Sequence, residues 1–155
     1  MKKIIVAGGC FWGVEAYFKQ KPNIKDTTVG YANSNKDNPD YRLVCTGTTN
    51  AAEAVELIYE GDLKEVLDTL FHIIDPTVLN RQGNDRGSQY RTGIYYETEQ
   101  DKDYAESYIR SIAGNYSKPI VTEVAALENF WPAEENHQDY LDKNPGGYCH
   151  IDLNS

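Results

Sequence analysis

Residues 3–20, KIIVAGGCFWGVEAYFKQ, change their period halfway along. Lys3 to Ala7 read as a short buried strand, which Gly8 and Gly9 break. From Phe11 to Gln20, Val14, Tyr17 and Phe18 recur at helical spacing until Pro22 stops the pattern. A strand passing through a tight turn into a helix is the first step of an alternating chain. The turn itself carries a cysteine, Cys10.

The same alternation continues outward. TTVGY (27–31) reads as a second strand, and NSNKDNPDY (33–41) as a polar loop. In EAVELIYE (53–60), Val55, Leu57 and Tyr59 alternate with smaller or polar residues, the period of a half-buried strand. Gly61-Asp62 then opens a helix in which Leu63, Val66, Leu67, Leu70, Phe71 and Ile74 share a face, ended by Asp75-Pro76. Residues 77–92 form a long loop, GIYYE (93–97) a strand, 99–113 a polar helix and PIVTEV (119–124) a strand. After Phe130-Trp131-Pro132, AEENHQDYL (133–141) predicts a short helix. The chain is thus expected to be one α/β (α+β) domain with a mixed sheet over residues 1–142. The glycine-rich residues 143–155 are expected to be a flexible tail.

At 155 residues the chain is long enough to bury a core without disulfides or a structural metal. Lys plus Arg total 15 against 24 Asp plus Glu, a formal charge of −9. With no basic cluster, this argues against a nucleic acid or an anionic membrane as partner. The opening apolar run is too short for a signal-peptide core or a membrane span, so a cytoplasmic location is expected. Three cysteines, Cys10, Cys45 and Cys149, are odd in number and widely spaced, unlike a secreted disulfide framework. In a reducing compartment each is either filler or chemistry. Cys45, following Val44, reads as buried filler.

Cys10 stands where free N–H groups and the positive end of a helix dipole favour an anion, so its thiol pKa is expected below the ordinary value. Gly8, Gly9 and Gly13 leave the sulfur uncovered, and Phe11 and Trp12 supply an apolar wall beside it. Two readings stand on this alone: an activated nucleophile beside an apolar pocket, or an inert thiol at a generic packing turn. Spacing excludes several chemistries. Position 13 is Gly where a C-x-x-C motif needs a second cysteine, and no Gly-Lys-Ser/Thr occurs. Glycines at 8, 9 and 13 miss the dinucleotide fingerprint. Ala16 stands where a phosphatase-type loop wants arginine. No paired metal-ligand spacing exists either, so no metal is expected. A redox-sensing or nucleotide-binding module remains the rival to an enzyme.

GCFWG (9–13), VGYAN (29–33), NPDYRLVCTG (38–47), DPT (75–77), NRQGNDRGSQYRTGIYY (80–96), FWPAEENHQDYL (130–141) and NPGGYC (144–149) together resemble the A-type peptide methionine sulfoxide reductases. The blocks occur in the family's order across nearly the whole chain. Two positions depart from the pattern: Ala51 and Ile74 stand where the family commonly has histidine, with His72 near the second.

The resemblance implies a ferredoxin-like core with long active-site loops. It implies thiol-dependent reduction of the S epimer of methionine sulfoxide, free or in proteins, as repair after oxidative damage. Cys10 would attack the sulfoxide sulfur and end as a sulfenic acid. Glu53 matches the proton-donating glutamate, Tyr41 and Tyr90 the tyrosines that bind the oxygen, and Asp85 the second carboxylate. Phe11 and Trp12 would cradle the S-methyl group. Cys149, in the GYC block, would resolve the sulfenic acid as a disulfide recycled by thioredoxin or dithiothreitol, with no cofactor. With six residues after Cys149, no relay to a further cysteine is expected.

Overall fold

The computed structural model describes residues 2–83, 85–147, 149 and 151–154. Strand β1 (Lys2–Gly8) leads into helix α1 (Phe11–Lys19), then β2 (Ile24–Ala32), α2 (Tyr41–Cys45), β3 (Ala52–Tyr59) and α3 (Leu63–Ile73). A short hairpin, β4 (Arg81–Gln82) and β5 (Asp85–Arg86), and a 3-10 turn at Ser88–Tyr90 precede β6 (Thr92–Tyr96) and α4 (Glu99–Ile112). β7 (Glu123–Ala126), β8 (Phe130–Pro132), a 3-10 turn at Glu135–His137 and α5 (Tyr140–Lys143) complete the order.

Among the described residues six strands form one sheet in the order β7-β6-β1-β3-β2-β8. Every pairing is antiparallel except β6 with β7. Its central part, β1-α1-β2-β3-α3-β6 lying as β6-β1-β3-β2, is the split βαβ arrangement of ferredoxin-like folds. The sheet is therefore mixed, as expected from the interleaved helices.

Strand periodicity sorts the residues onto two faces. Ile4 and Val6 of β1, Val29 and Tyr31 of β2, and Val55, Leu57 and Tyr59 of β3 pack with α1 and α3 in the main core. Ile5, Ala7, Ala32, Ala52, Ala54 and Tyr95 make a second cluster. Glu53 keeps step with Val55 and Leu57, so its carboxyl is carried onto the helix-covered face with no exposure at all. Directly across from it in register is Tyr31, and Trp131 pairs with Tyr31 in turn.

Several local expectations change. α2, a helix for which the pattern gave no expectation, starts at the last residue of the predicted loop, because Asp40 caps it by accepting from the Leu43 N–H at 2.7 Å. The expected strand at 119–124 shifts to 123–126, since β7 pairs only alongside β6, which begins at Thr92, and residue 121 donates instead to Pro76 O at 2.7 Å. The expected helix over 133–141 is a 3-10 turn and a four-residue helix split by Asp139, whose φ of 53° is left-handed. Cys45 is exposed rather than buried, because α2 turns Val44 inward and the next position outward. Of the departures from the family pattern, Ala51 is buried, and Ile74 lies over Gly8, where a Cβ would fall 2.8 Å from its Cγ2. In the segment expected as a tail, Ile151 is 7% exposed and joins the main core, with Cys149 half-buried against it. No described helix is long and apolar enough to cross a membrane.

Candidate active site

β1 ends at Gly8, and Gly9 turns the chain at a φ of 93°, a conformation that favours glycine. Cys10 follows as the N-cap of α1, only 4% exposed. Phe11, in the first turn, donates its backbone N–H to Glu53 Oε1 at 3.2 Å. One carboxylate oxygen is thereby used on the same helix N-terminus that carries the thiol. The other, Oε2, is buried and has no hydrogen-bond partner among the described residues.

Electrostatics overturn the expected activation of Cys10. Burial first, and then the field of Glu53, push the thiol above its ordinary value, with Asp85 and Cys149 adding to the rise. The N–H of Trp12 acts in the direction expected of a helix start, but it is outweighed. Cys10 therefore rests as a neutral thiol at neutral pH. Burial also lifts the Glu53 carboxyl to about 8; Phe11 N–H opposes the rise and Asp85 adds to it. Glu53 thus rests as a carboxylic acid, with a proton to give.

The remaining expected residues gather around this pair. Tyr41 opens α2 and lies close enough to act on Tyr90 and on the Cys45 thiol. Both phenols are pushed up, by burial and then by Glu53, and stay protonated donors. Tyr90 closes the 3-10 turn that Arg91 fixes, through Nη1 to Ser88 O at 2.8 Å, Nη2 to Asn50 O at 2.9 Å and Nε to Glu123 at 2.9 Å. Asp85, half-buried in β5, is close enough to act on Cys10, Glu53 and Cys149. Cys149 donates to Ile151 O at 3.2 Å, and no disulfide joins the cysteines. Among the described residues no cluster of His, Cys, Asp or Glu could hold a metal.

Phe11 and Trp12 form an aromatic box with Tyr41 and with Tyr31, His137 and Tyr140, three residues that the motifs do not single out. Phe11 is fully buried, 5.8 Å from Tyr31 and 6.2 Å from Tyr41 between ring centroids. Tyr140 lies flat on Trp12, centroids 3.8 Å apart and planes 9° off parallel. His137 sits 4.4 Å from the Tyr41 ring and accepts the Trp12 indole N–H on Nδ1 at 3.0 Å. Burial holds the imidazole below its ordinary pKa against the pull of Glu134, which suits a neutral acceptor. Glu134 accepts from Tyr31 Oη at 2.8 Å and from the Tyr41 N–H at 3.1 Å, tying the strap after β8 to both β2 and α2. Burial works against the Glu134 charge, but these bonds and its own amide carry its pKa below the usual range. The block FWPAEENHQDYL contains Glu134, His137 and Tyr140. Its polar residues were the available signal, masked by a helical reading.

A family model described as peptide methionine sulfoxide reductase matches residues 2–155. The chain is 54% identical over 154 residues to peptide methionine sulfoxide reductase MsrA of Mycoplasma genitalium, covering 97% of this chain and 98% of that one. It is 55% identical over 156 residues to the protein of the same name from Clostridium botulinum strain Okra, covering 99% of each. Among solved structures, Mxr1 from Saccharomyces cerevisiae in reduced form is similar at a TM-score of 0.93 and 38% identity, over 98% of this chain and 91% of that one. Mxr1 in complex with Trx2 matches at a TM-score of 0.65 and 26% identity, over 90% and 84%.

Proposed function

From the premise that the chain belongs to the MsrA family of peptide methionine sulfoxide reductases, enzymes that reduce the (S)-S-oxide of methionine by thiol chemistry, we propose that Cys10 is the nucleophile and Glu53 the acid of that reaction. One observation carries the assignment: a buried, protonated Glu53 held against the N–H after Cys10, with a second oxygen that no described residue engages. A carboxylic acid kept neutral at pH 7 is what a departing sulfoxide oxygen requires.

The Cys10 sulfur bonds to the sulfoxide sulfur while the oxygen takes one proton from Glu53 and one from the thiol, and leaves as water. Tyr41 and Tyr90 donate hydrogen bonds to that oxygen as its charge grows. Asp85 keeps the Glu53 proton in place by its own negative charge. Phe11 and Trp12 hold the S-methyl group, Phe11 as the buried floor and Trp12 as the wall. A water then attacks the Cys10 sulfur, methionine departs with the pair from the S–S bond, and a proton returns to Glu53. The net change converts sulfoxide and thiol into methionine and sulfenic acid.

Cys149 then forms the S–S bond to the Cys10 sulfenic acid, its thiol proton passing to the departing hydroxyl, which leaves as water and gives a Cys10–Cys149 disulfide. Cys149 lies close enough to Cys10 to act on it, which supports this pairing. A thioredoxin is the proposed reductant, in keeping with the yeast relative solved with Trx2.

The test is methionine release from the separated epimers with dithiothreitol and no added cofactor. Turnover of the S epimer alone, abolished by Cys10→Ser, is the expected result. Turnover that survives Cys10→Ser would overturn the nucleophile. Mass spectrometry after one equivalent of substrate should find the Cys10–Cys149 link; unchanged thioredoxin-driven turnover in Cys149→Ser would remove Cys149 from the cycle.

A further inference from the structure

Glu15 is a carboxylate that the reaction above does not use, yet it is 2% exposed in the middle of α1. Both its oxygens are occupied by other elements. Oε2 accepts from the Thr27 hydroxyl on β2 at 2.8 Å, and Oε1 accepts from the backbone N–H of Asp139 at 2.8 Å. Asp139 is the left-handed residue at which the strap turns into α5, and Tyr140 follows it directly. The strap is pinned just before this point, where the Gln138 amide replaces a peptide in the ladder: it accepts from Val29 N–H at 2.9 Å and donates to Val29 O at 2.8 Å. Beyond Gln138 the chain leaves the sheet, and α5 rests on α1. Lys19 binds the Asp139 and Asp142 side chains at the exposed margin, where ion pairs add little. Glu15 is the buried tie.

We propose that Glu15 is a positioning residue for the S-methyl pocket: through the Asp139 N–H it sets the turn that lays Tyr140 flat on Trp12. Glu15 and Trp12 sit three positions apart on one helix, so the carboxylate and the indole present one surface to the strap. A buried carboxylate is a costly way to join two segments. Its return is direction: Asp142 and Lys143 N–H groups bind the Asp139 carbonyl and Lys19 its side chain, and Glu15 takes its N–H from the buried side. The proposal rests on the assignment of Trp12 to the substrate's methyl group.

A wall that touches substrate equally in the ground and transition states acts on KM rather than kcat. Glu15→Met, similar in length but without an acceptor, should raise KM for the S epimer roughly tenfold while kcat stays within about twofold. Glu15→Gln keeps an oxygen for the Asp139 N–H and an amide for the Thr27 oxygen, and should restore KM. With Trp131→Phe as background Trp12 is the one remaining tryptophan of the two. The near-UV circular dichroism of its stack with Tyr140 should weaken in Glu15→Met and return in Glu15→Gln. In a double-mutant cycle Tyr140→Ala should raise KM alone, and adding Glu15→Met should raise it little further.

Unchanged KM and an unchanged Trp12 signal in folded Glu15→Met, with only a lower Tm, would overturn the proposal. So would KM effects of Glu15→Met and Tyr140→Ala that multiply. Should Glu15→Met not fold, Glu15→Asp, a methylene short of Asp139, is read in its place with the same expectations. Trp12→Ala separates the premise from the proposal: if it leaves KM unchanged, the assignment of the pocket fails first.

Discussion

Replacing Glu53 with Gln should abolish turnover and at the same time stabilise the protein, by an amount that depends on pH. The native carboxyl holds its proton up to about 8, while the same group in the unfolded chain releases it at 4.5. Between these values the native state binds the extra proton, so stability falls as pH rises, and it is fully present only below the lower value. One proton is worth about 1.4 kcal/mol per pH unit, so the wild type forfeits about 1 kcal/mol at pH 5, about 3 kcal/mol at pH 7 and close to 5 kcal/mol above pH 9. Gln has no proton to lose, matches the acid in shape, and still accepts the Phe11 N–H. Urea denaturation of both proteins at pH 5, 7 and 9 reads the difference directly. The gap should open with pH on the side of the variant. A gap that stays constant from pH 5 to 9 would refute the neutral, buried acid and with it the proton source for the oxygen.

The other expectations concern neighbouring groups. In single-turnover measurements the rate of Cys10 oxidation by the S epimer should decline once pH passes about 8, as Glu53 ionises; a rate that climbs through that range would instead mark thiolate formation as limiting. Tyr90→Phe removes a donor proposed to reach the sulfoxide oxygen and should lower kcat by roughly 10²-fold with a small change in KM. Gly30→Ala places a Cβ 2.5 Å from Trp131 O and from Phe130 Cζ, so β8 must move; chemical denaturation should show a loss of about 1–3 kcal/mol, accompanied by a raised KM. Iodoacetamide at neutral pH should label exposed Cys45 before buried, neutral Cys10, with peptide mass spectrometry as the readout.

How far the sequence foretold this molecule depended on the range of the forces involved. The alternation of Val55, Leu57 and Tyr59 carried the strand and, by counting back two, the face on which Glu53 lies. The apolar stripe from Leu63 to Phe71 marked α3, and Gly8-Gly9 marked the turn into α1. α2 and β8 were not legible, being five and three residues long and held by partners far away: Glu134 reaches Tyr41 across 93 positions. The helical reading of 133–141 failed for the same reason, since Gln138 bonds to Val29 rather than within its own turn. Cys45 was misjudged because an apolar neighbour predicts burial only when the helix phase is known.

The thiol of Cys10 is the most instructive case. Everything local to it, the N-cap position and the free N–H of Trp12, argues for a thiolate. What reverses the outcome is burial first, and then the acidic groups of Glu53, Asp85 and Cys149, each brought in by another part of the chain. A buried setting ringed by acidic groups would hinder a reaction that needed only an anion. Reduction of a sulfoxide needs two protons on the departing oxygen as well as a sulfur nucleophile, and a resting thiolate would leave the site one proton short. A neutral thiol beside a neutral acid holds both protons where the oxygen is proposed to sit. The thiolate character then develops only as the S–O bond opens, when the Trp12 N–H and the helix start have a growing charge to act on. The local sequence around Cys10 describes the transition state better than the resting one.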